Sequence, residues 1–353
     1  MMEPGSVDPI AVIRSCVGHG WHGQRVVTIV VTGAAGFIGA HVARALVARG
    51  ESVVGIDNLN DYYDVALKHA RMTALVPRAG FTFHKADIAD RAAIADIFAR
   101  YPETTRVVHL AAQAGVRHSM VDPYAYVASN VMGHVVMLEA ARALPRLEHF
   151  VFASSSSVYG LNQAMPFAED DRVDTPVSLY AATKRADELI GHAYAHLYGM
   201  PQTGLRFFTV YGPWGRPDMA YYSFARAIVA GEPITLYDDG ATRRDFTYID
   251  DIVAGVVDAL DATPTAGDPV RLLNIGNNRS ESVATLVGLL EAALGRRAVI
   301  QFAPRPRADV AETAASIERI AALTGFAPRT PLADGIARFA LWFREYHRVG
   351  SNA

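Results

Sequence analysis

Val26-Val27-Thr28-Ile29-Val30-Val31-Thr32-Gly33-Ala34-Ala35-Gly36-Phe37-Ile38-Gly39 decides the fold. Up to Thr32 the run is β-branched and apolar without alternation, the pattern of a strand covered on both faces in a parallel sheet. Three evenly spaced glycines follow, and Ala40 to Ala48 then carries helix-forming residues, so the order is strand, glycine turn, helix. Gly33 permits the tight turn, Gly36 lets backbone approach a pyrophosphate, and Gly39 lets the helix pack against the strand. The helix N-terminus turns its unpaired N–H groups toward the phosphates.

A second strand, Ser52-Val53-Val54-Gly55-Ile56, ends at Asp57, close to the spacing of roughly 20 residues expected for an acid that hydrogen-bonds an adenosine ribose. A carboxylate there repels a 2′-phosphate and no arginine follows directly, which favours NAD over NADP. The competing reading of Asp57 is an ordinary turn residue. After the polar loop Asn58 to Asp64, a helix from about Val65 to Leu75 leads to the strand Phe81 to Lys85. Asp87 at its end either meets the adenine amino group or caps the helix beginning near Arg91. Strand Arg106 to Leu110 runs into Ala111-Ala112-Gln113-Ala114-Gly115, small residues against which a cofactor can lie. His109 reads as a packed core histidine. Arg117 and His118 follow on the loop, and Arg117 is suited to an anionic substrate group.

The next strand, His149 to Ala153, brings Ser154, Ser155, Ser156 and Ser157 to the mouth of the sheet. Leu179 to Leu197 has helical apolar spacing, which places Tyr180 and Lys184 at i and i+4 on one face. A phenol with pKa about 10 exchanges protons poorly at neutral pH, and a nearby ammonium favours the phenolate. Tyrosine and lysine together suit proton exchange with an alcohol. Each motif alone is common by chance; their weight comes from sharing a chain with the dinucleotide turn.

Length and composition agree. With 353 residues, 51% of them hydrophobic, the chain can build one large domain and a smaller lobe. A net charge of −3 leaves no basic footprint for nucleic acid, and no apolar stretch approaches the roughly 20 residues that span a bilayer. The single cysteine, Cys16, rules out an internal disulfide framework and a cysteine-based zinc site; no metal is expected, and a reducing, cytoplasmic setting is. The expected division is a flexible extension over 1–24, a nucleotide-binding domain over 25–210 and a substrate lobe over 211–350, with some exchange of chain between the two.

In the second half, Thr203 to Phe208 is the next strand, and Tyr211-Gly-Pro-Trp-Gly-Arg-Pro-Asp218 is rich in turns. Arg243 to Asp251 precedes a helix over Ile252 to Leu260, with Asp250 or Asp251 as its expected cap. Arg244 is a candidate for gripping a phosphate, as are Arg305 and Arg307 after the strand Ala298 to Phe302. Asn130 to Leu144 reads as a striped helix that, with the Leu179 helix, offers a face for a homodimer.

The quoted residues resemble the extended short-chain dehydrogenase/reductase superfamily from Val26 to Trp342. Ala111 to Arg117, Ser154 to Gly160, Pro176 to Lys184, Leu205 to Met219 and Arg244 to Asp251 are similar to the UDP-glucuronate 4-epimerases within it. The resemblance implies a Rossmann-type, doubly wound parallel α/β sheet with a smaller C-terminal α/β lobe for a UDP-sugar. It also implies bound NAD and interconversion of UDP-glucuronate and UDP-galacturonate through a 4-keto sugar. Tyr180 would be the base, Lys184 the cation that supports it and binds the nicotinamide ribose, and Ser155 a hydrogen-bond donor to the same oxygen. Cofactor contacts are implied for Gly33, Gly36, Phe37, Ile38, Gly39, Asp57, Asn58, Asp87, Ile88, Leu110, Ala111, Ala112, Gln113, Tyr180, Lys184 and Phe207. Substrate contacts are implied for Arg117, Ser156, Ser157, Thr209, Arg216, Arg244 and Arg307, with Arg216 holding the C6 carboxylate. Ser156 and Ser157 stand where dehydratase relatives place acids, which argues against 4,6-dehydration. The chain departs from the pattern at Ala308, where glycine is usual, at Ser316, where aspartate is, and at His118. Competing readings are another UDP-sugar 4-epimerase, a UDP-glucuronate decarboxylase, or a silent NAD-binding sensor.

Overall fold

The β-branched run becomes strand β1 (Thr28–Thr32), every residue of it buried. This computed structural model describes residues 27–306 and 309–349. From β1 the chain runs through α1 (Phe37–Ala48), β2 (Ser52–Asp57), α2 (Val65–Thr73), β3 (Phe81–Lys85), α3 (Arg91–Arg100) and β4 (Thr104–His109). A short α4 (Pro123–Tyr126), a π-wound turn (Val127–Met132) and α5 (Gly133–Arg142) follow, then β5 (His149–Ser155), α6 (Leu179–Tyr198), β6 (Gln202–Phe207) and β7 (Thr209–Tyr211). The remainder is α7 (Ala220–Ala230), β8 (Pro233–Tyr237), β9 (Arg243–Tyr248), α8 (Ile249–Asp261), β10 (Val270–Ile275), β11 (Ser280–Ser282), α9 (Val283–Leu294), β12 (Val299–Ala303), α10 (Glu318–Thr324) and α11 (Leu332–Tyr346).

Seven strands form one sheet in the order β10-β6-β5-β4-β1-β2-β3, and every pairing in it is parallel. The chain leaves β1 in one direction to build β2 and β3, then crosses back to build β4, β5 and β6. The crevice at the carboxyl ends of β1 and β4 is therefore the switch point where such sheets bind ligands. Because successive side chains point to opposite faces, Ile29 and Val31 pack into one core while Val30 packs into the other. Val108 and Val107 of β4 divide in the same way, as do Val151 and Phe150 of β5. Both faces are dry, which is why these strands read as unbroken apolar runs.

Smaller sheets lie beyond β6: β11-β9-β7 and β12-β8. Strand β10 comes from this later part of the chain yet pairs with β6 in the main sheet. Among the described residues, no helix is long and apolar enough to cross a membrane. The expected extension over 1–24 lies outside the described residues.

Several boundaries differ from expectation. Asp90 caps α3, accepting from Ala92 and Ala93, so the capping alternative for Asp87 is overturned. Neither Asp250 nor Asp251 caps α8. The helix starts after Tyr248 and puts both carboxylates in its first turn, where they complement the helix dipole. Asp251 instead accepts the N–H groups of Arg329 and Thr330, at 3.2 and 3.0 Å, just before α11. The helix expected over Asn130 to Leu144 is divided: the π-wound turn carries Asn130, and regular α-helix begins at Gly133.

Candidate active site

The glycine turn is shaped by contact. Gly33 has φ +69°, and a Cβ there would lie 2.9 Å from the Ala111 nitrogen; one on Gly39 would collide with the Gly33 carbonyl. Helix α1 begins at Gly36 with no side-chain cap, so its first-turn N–H groups are free for an anion. Asp57 is buried, and its two oxygens accept from Ala35 N at 3.1 Å and Leu59 N at 2.8 Å. Each oxygen retains a further acceptor site. Asp57 thus fixes the glycine turn while facing the cavity.

That cavity, of about 470 Å³, runs from the glycine turn past the end of β4 to the serines of β5 and on to Arg244 and Asp309. Phe37, Ile38, Asn58, Ile88, Leu110, Ala111, Ala112, Gln113 and Phe207 line it, as do Ser155, Ser156, Ser157, Tyr180, Lys184, Thr209, Arg216 and Arg244. Tyr180 is in the first turn of α6, whose start is fixed by the Ser178 side chain accepting from Ala181 N. One turn on, buried Lys184 donates to the Ala153 carbonyl at 2.9 Å and to Asp187 at 3.0 Å. Burial pushes the Asp187 carboxyl up to about 6, with the Lys184 ammonium opposing. Asn130 ties the loop after β4 to the same helix: it holds the Gln113 backbone through both amide atoms and donates to Thr183 Oγ1 at 2.9 Å.

The serines divide their labour. Ser154 donates to Glu188 at 2.6 Å, and Ser155 accepts from Ser157 N at 3.2 Å while remaining at the cavity wall. Glu188 also takes Arg206 through two bonds of 2.8 and 3.0 Å. Arg206 reaches on to Tyr159 at 3.0 Å, and Tyr159 donates to Asn274 at 2.6 Å. Charged and hydrogen-bonded throughout, this buried chain locks α6 to β5, β6 and β10. Glu188 holds the Arg206 guanidinium above its ordinary range despite burial.

On the opposite wall Arg216 meets Asp218 through Nε at 3.0 Å and Nη2 at 2.5 Å, and Tyr62 donates to the same carboxylate at 3.2 Å. Asp218 holds the Arg216 guanidinium well above its usual range, against the cost of burial; burial pushes the Tyr62 phenol up to about 12. Arg71 in α2 supports this loop from behind, donating to the carbonyls of Trp214, Gly215 and Ala35 and to the Tyr63 hydroxyl. It therefore joins the glycine turn to the segment carrying Arg216.

Some expected site residues lie elsewhere. Asp87 is not on the cavity wall; it accepts from Asn58 Nδ2 at 2.8 Å and so orients a residue that is. Arg117 also stays off the wall, because it is drawn to Asp309 at 3.1 Å and over the Tyr237 ring. Asp309 lines the cavity and takes Arg244 at 3.2 Å with its other oxygen. Arg305 pairs with Asp238 at 3.4 Å, while Arg307 and Ala308 fall outside the described residues. Ser316 donates its backbone N–H to Phe167 O and accepts Asn274 at its own carbonyl, a structural role.

Residues 29–276 match the NAD dependent epimerase/dehydratase family. The chain belongs to that family. UDP-glucuronate 4-epimerase 3 of Arabidopsis thaliana is 47% identical over 94% of this chain and 79% of its own length. A probable UDP-glucuronate 4-epimerase of Rhizobium meliloti is 45% identical, covering 90% of this chain and 97% of its own. Among solved structures, the UDP-glucuronic acid 4-epimerase of Bacillus cereus in complex with UDP-glucuronic acid and NAD superposes with a TM-score of 0.84. It is 34% identical over 91% of this chain and 100% of its own.

For this epimerase-family chain, sequence reasoning missed several cavity residues. Tyr62 lies in what the sequence shows as a polar loop, and Lys68 in the helix after it. Yet Lys68 is buried beside Asp57, over the Tyr63 ring and 2.6 Å from Asn60 Oδ1. Asp309 is another residue of the cavity wall, and Asn130 is buried behind it. A usable signal was the loop Asn58 to Asp64, whose concentration of aromatic and amide side chains exceeds what a plain connection needs.

Proposed function

We propose that the chain interconverts UDP-glucuronate and UDP-galacturonate by oxidation and re-reduction at C4, with NAD as a resident cofactor. The supporting observation is one cavity that joins an uncapped glycine turn, the Tyr180–Lys184 pair and Arg216. The turn suits a dinucleotide, since it lines the cavity and packs so closely on the end of β4 that a Cβ at Gly33 would collide with the Ala111 backbone. Gly33, Gly36 and Gly39 would seat the pyrophosphate, Asp57 the adenosine ribose and Lys184 the nicotinamide ribose. Bound there, the cofactor would supply redox chemistry: a hydride acceptor for C4 as NAD⁺ and a hydride donor as NADH.

The chain's own residues do the rest. Tyr180 takes the O4 proton as C4 is oxidised and gives it back on re-reduction. Lys184 supports the phenolate by charge, and Ser155 hydrogen-bonds the same oxygen. Arg216 holds the C6 carboxylate by paired charge-assisted bonds, which keeps it near the ring plane, where a β-keto acid resists loss of CO₂. Arg244 meets the diphosphate once Asp309 releases it. The subunit works as a homodimer through α6 and the π-wound turn and α5 before β5, where Met132, Leu189 and Leu197 expose apolar side chains. With one cysteine and a nucleotide-sugar substrate, the cytoplasm is its place of action.

The test is incubation of purified protein with UDP-glucuronate, with and without added NAD⁺, and separation of products by chromatography and mass. A product of unchanged mass co-eluting with UDP-galacturonate is expected. Loss of the mass of CO₂ would make it a decarboxylase, and no reaction with the uronate would turn attention to neutral UDP-hexoses.

A further inference from the structure

The lysine of the candidate active site is held from behind by a charge. Lys184 and Asp187 are 4% and 2% exposed and lie 3.0 Å apart. An ammonium has three donors; Ala153 and Asp187 take two of them, and the third remains for the cavity that Lys184 lines. Asp187 Oδ2 makes this bond, while Oδ1 is buried with no hydrogen-bond partner among the described residues. An ion pair taken out of water costs desolvation that a neutral acceptor avoids. An amide oxygen at position 187 would accept the same bond, so what the carboxylate adds is charge.

The surroundings leave that charge uncompensated except by Lys184. Facing the pair are His134 from α5 and His109 from β4, stacked 5.4 Å apart. Burial and the Lys184 charge hold His134 down to about 3 and His109 well below its ordinary value, so both are neutral. Glu188, next along α6, is already engaged by Arg206 and Arg185 at 2.8 and 3.0 Å. On the cavity side, Tyr126 is edge-on to Tyr180 at 6.1 Å and the Arg216 charge reaches the same phenol.

We propose that Asp187 is a positioning residue acting through Lys184: it aims the remaining N–H of the ammonium into the cavity and offsets part of the positive charge felt by Tyr180. The inference rests on the reading of Tyr180 as the acid–base group.

The experiment uses NAD-loaded full-length protein carrying Asp187→Asn, which keeps an acceptor and removes the charge. At an effective dielectric of about 20, and with the two residues seven positions or about 10 Å apart along α6, the acid limb of the turnover–pH profile moves down by about one unit. Asp187→Ser, a smaller uncharged acceptor, moves it the same way, and Asp187→Glu returns it toward the parent. A second reading needs no sugar: the tyrosinate absorbance of each variant is titrated against the same variant carrying Tyr180→Phe. A downward shift of that difference signal supports the role even if UDP-glucuronate proves not to be the substrate. A slower enzyme with an unmoved profile, or a difference signal that is unmoved or displaced upward, overturns it.

Discussion

Arg216 is a residue whose chemistry is partly spoken for. Asp218 occupies its Nε–Nη2 edge, and of the five guanidinium donors those at the far end remain to meet an incoming carboxylate. Since hydrogen bonds to charged groups contribute about 1.5–3 kcal/mol, Arg216→Gln should lower kcat/KM for UDP-glucuronate by roughly 100-fold. Turnover of UDP-glucose should barely change, and steady-state kinetics on both sugars would check this; equal losses would mean that Arg216 reads something common to both. Tyr180, Lys184 and Asp57 were legible in the sequence because their partners are a few residues away or fall at a fixed interval. Tyr62, Asn130 and Asp309 were not, since each owes its place to a contact across 50 or more residues, such as Asn130 with Thr183 and Arg117 with Asp309.

At the level of elements, α6 carries Tyr180 and Lys184 and is fastened by a buried ion pair. Its apolar stripe predicted a helix; its docking depends on Glu188 and Arg206, which are 0% and 1% exposed. Removing one member of a buried pair strands the other charge, at about 3–5 kcal/mol. Glu188→Gln should therefore lower the urea midpoint strongly. Glu188→Leu with Arg206→Met, of similar volume and without charge, should recover most of the loss. If the double variant were as unstable as the single, hydrogen bonding to Ser154 and Tyr159 rather than the stranded charge would be the larger effect. The serine run shows the limit of reading elements from pattern alone. Four adjacent hydroxyls look equivalent in sequence, and all four line the cavity, but only Ser154 also donates into this network.

Across the whole molecule, the parallel sheet and its switch point followed from unbroken apolar runs separated by helices, whereas the docking of β10 beside β6 did not. Pairing between segments more than 60 residues apart is decided by the edge left open when β6 is laid down, which local composition does not encode. The same burial that makes the sheet legible makes stability depend on pH. His41, His109, His134 and His149 are each at most 5% exposed. Burial holds them below the ordinary value of 6.5, to about 3 for His41 and His134 and about 4 for His149. The unfolded chain therefore binds these protons first, and stability is lost as pH falls below 6.5. Asp187 and Asp245 act in the opposite sense, because burial raises both to about 6 and the folded state takes up their protons first. The four histidines outweigh the two aspartates on the unfolded side, so stability should fall between about pH 7 and 5.5. Urea melts at the two pH values would measure it. His134 has no hydrogen-bond partner at either ring nitrogen among the described residues. His134→Phe should thus remove one of the four titrations at little structural cost and make the pH dependence shallower; an unchanged slope would place the acid sensitivity outside the buried histidines.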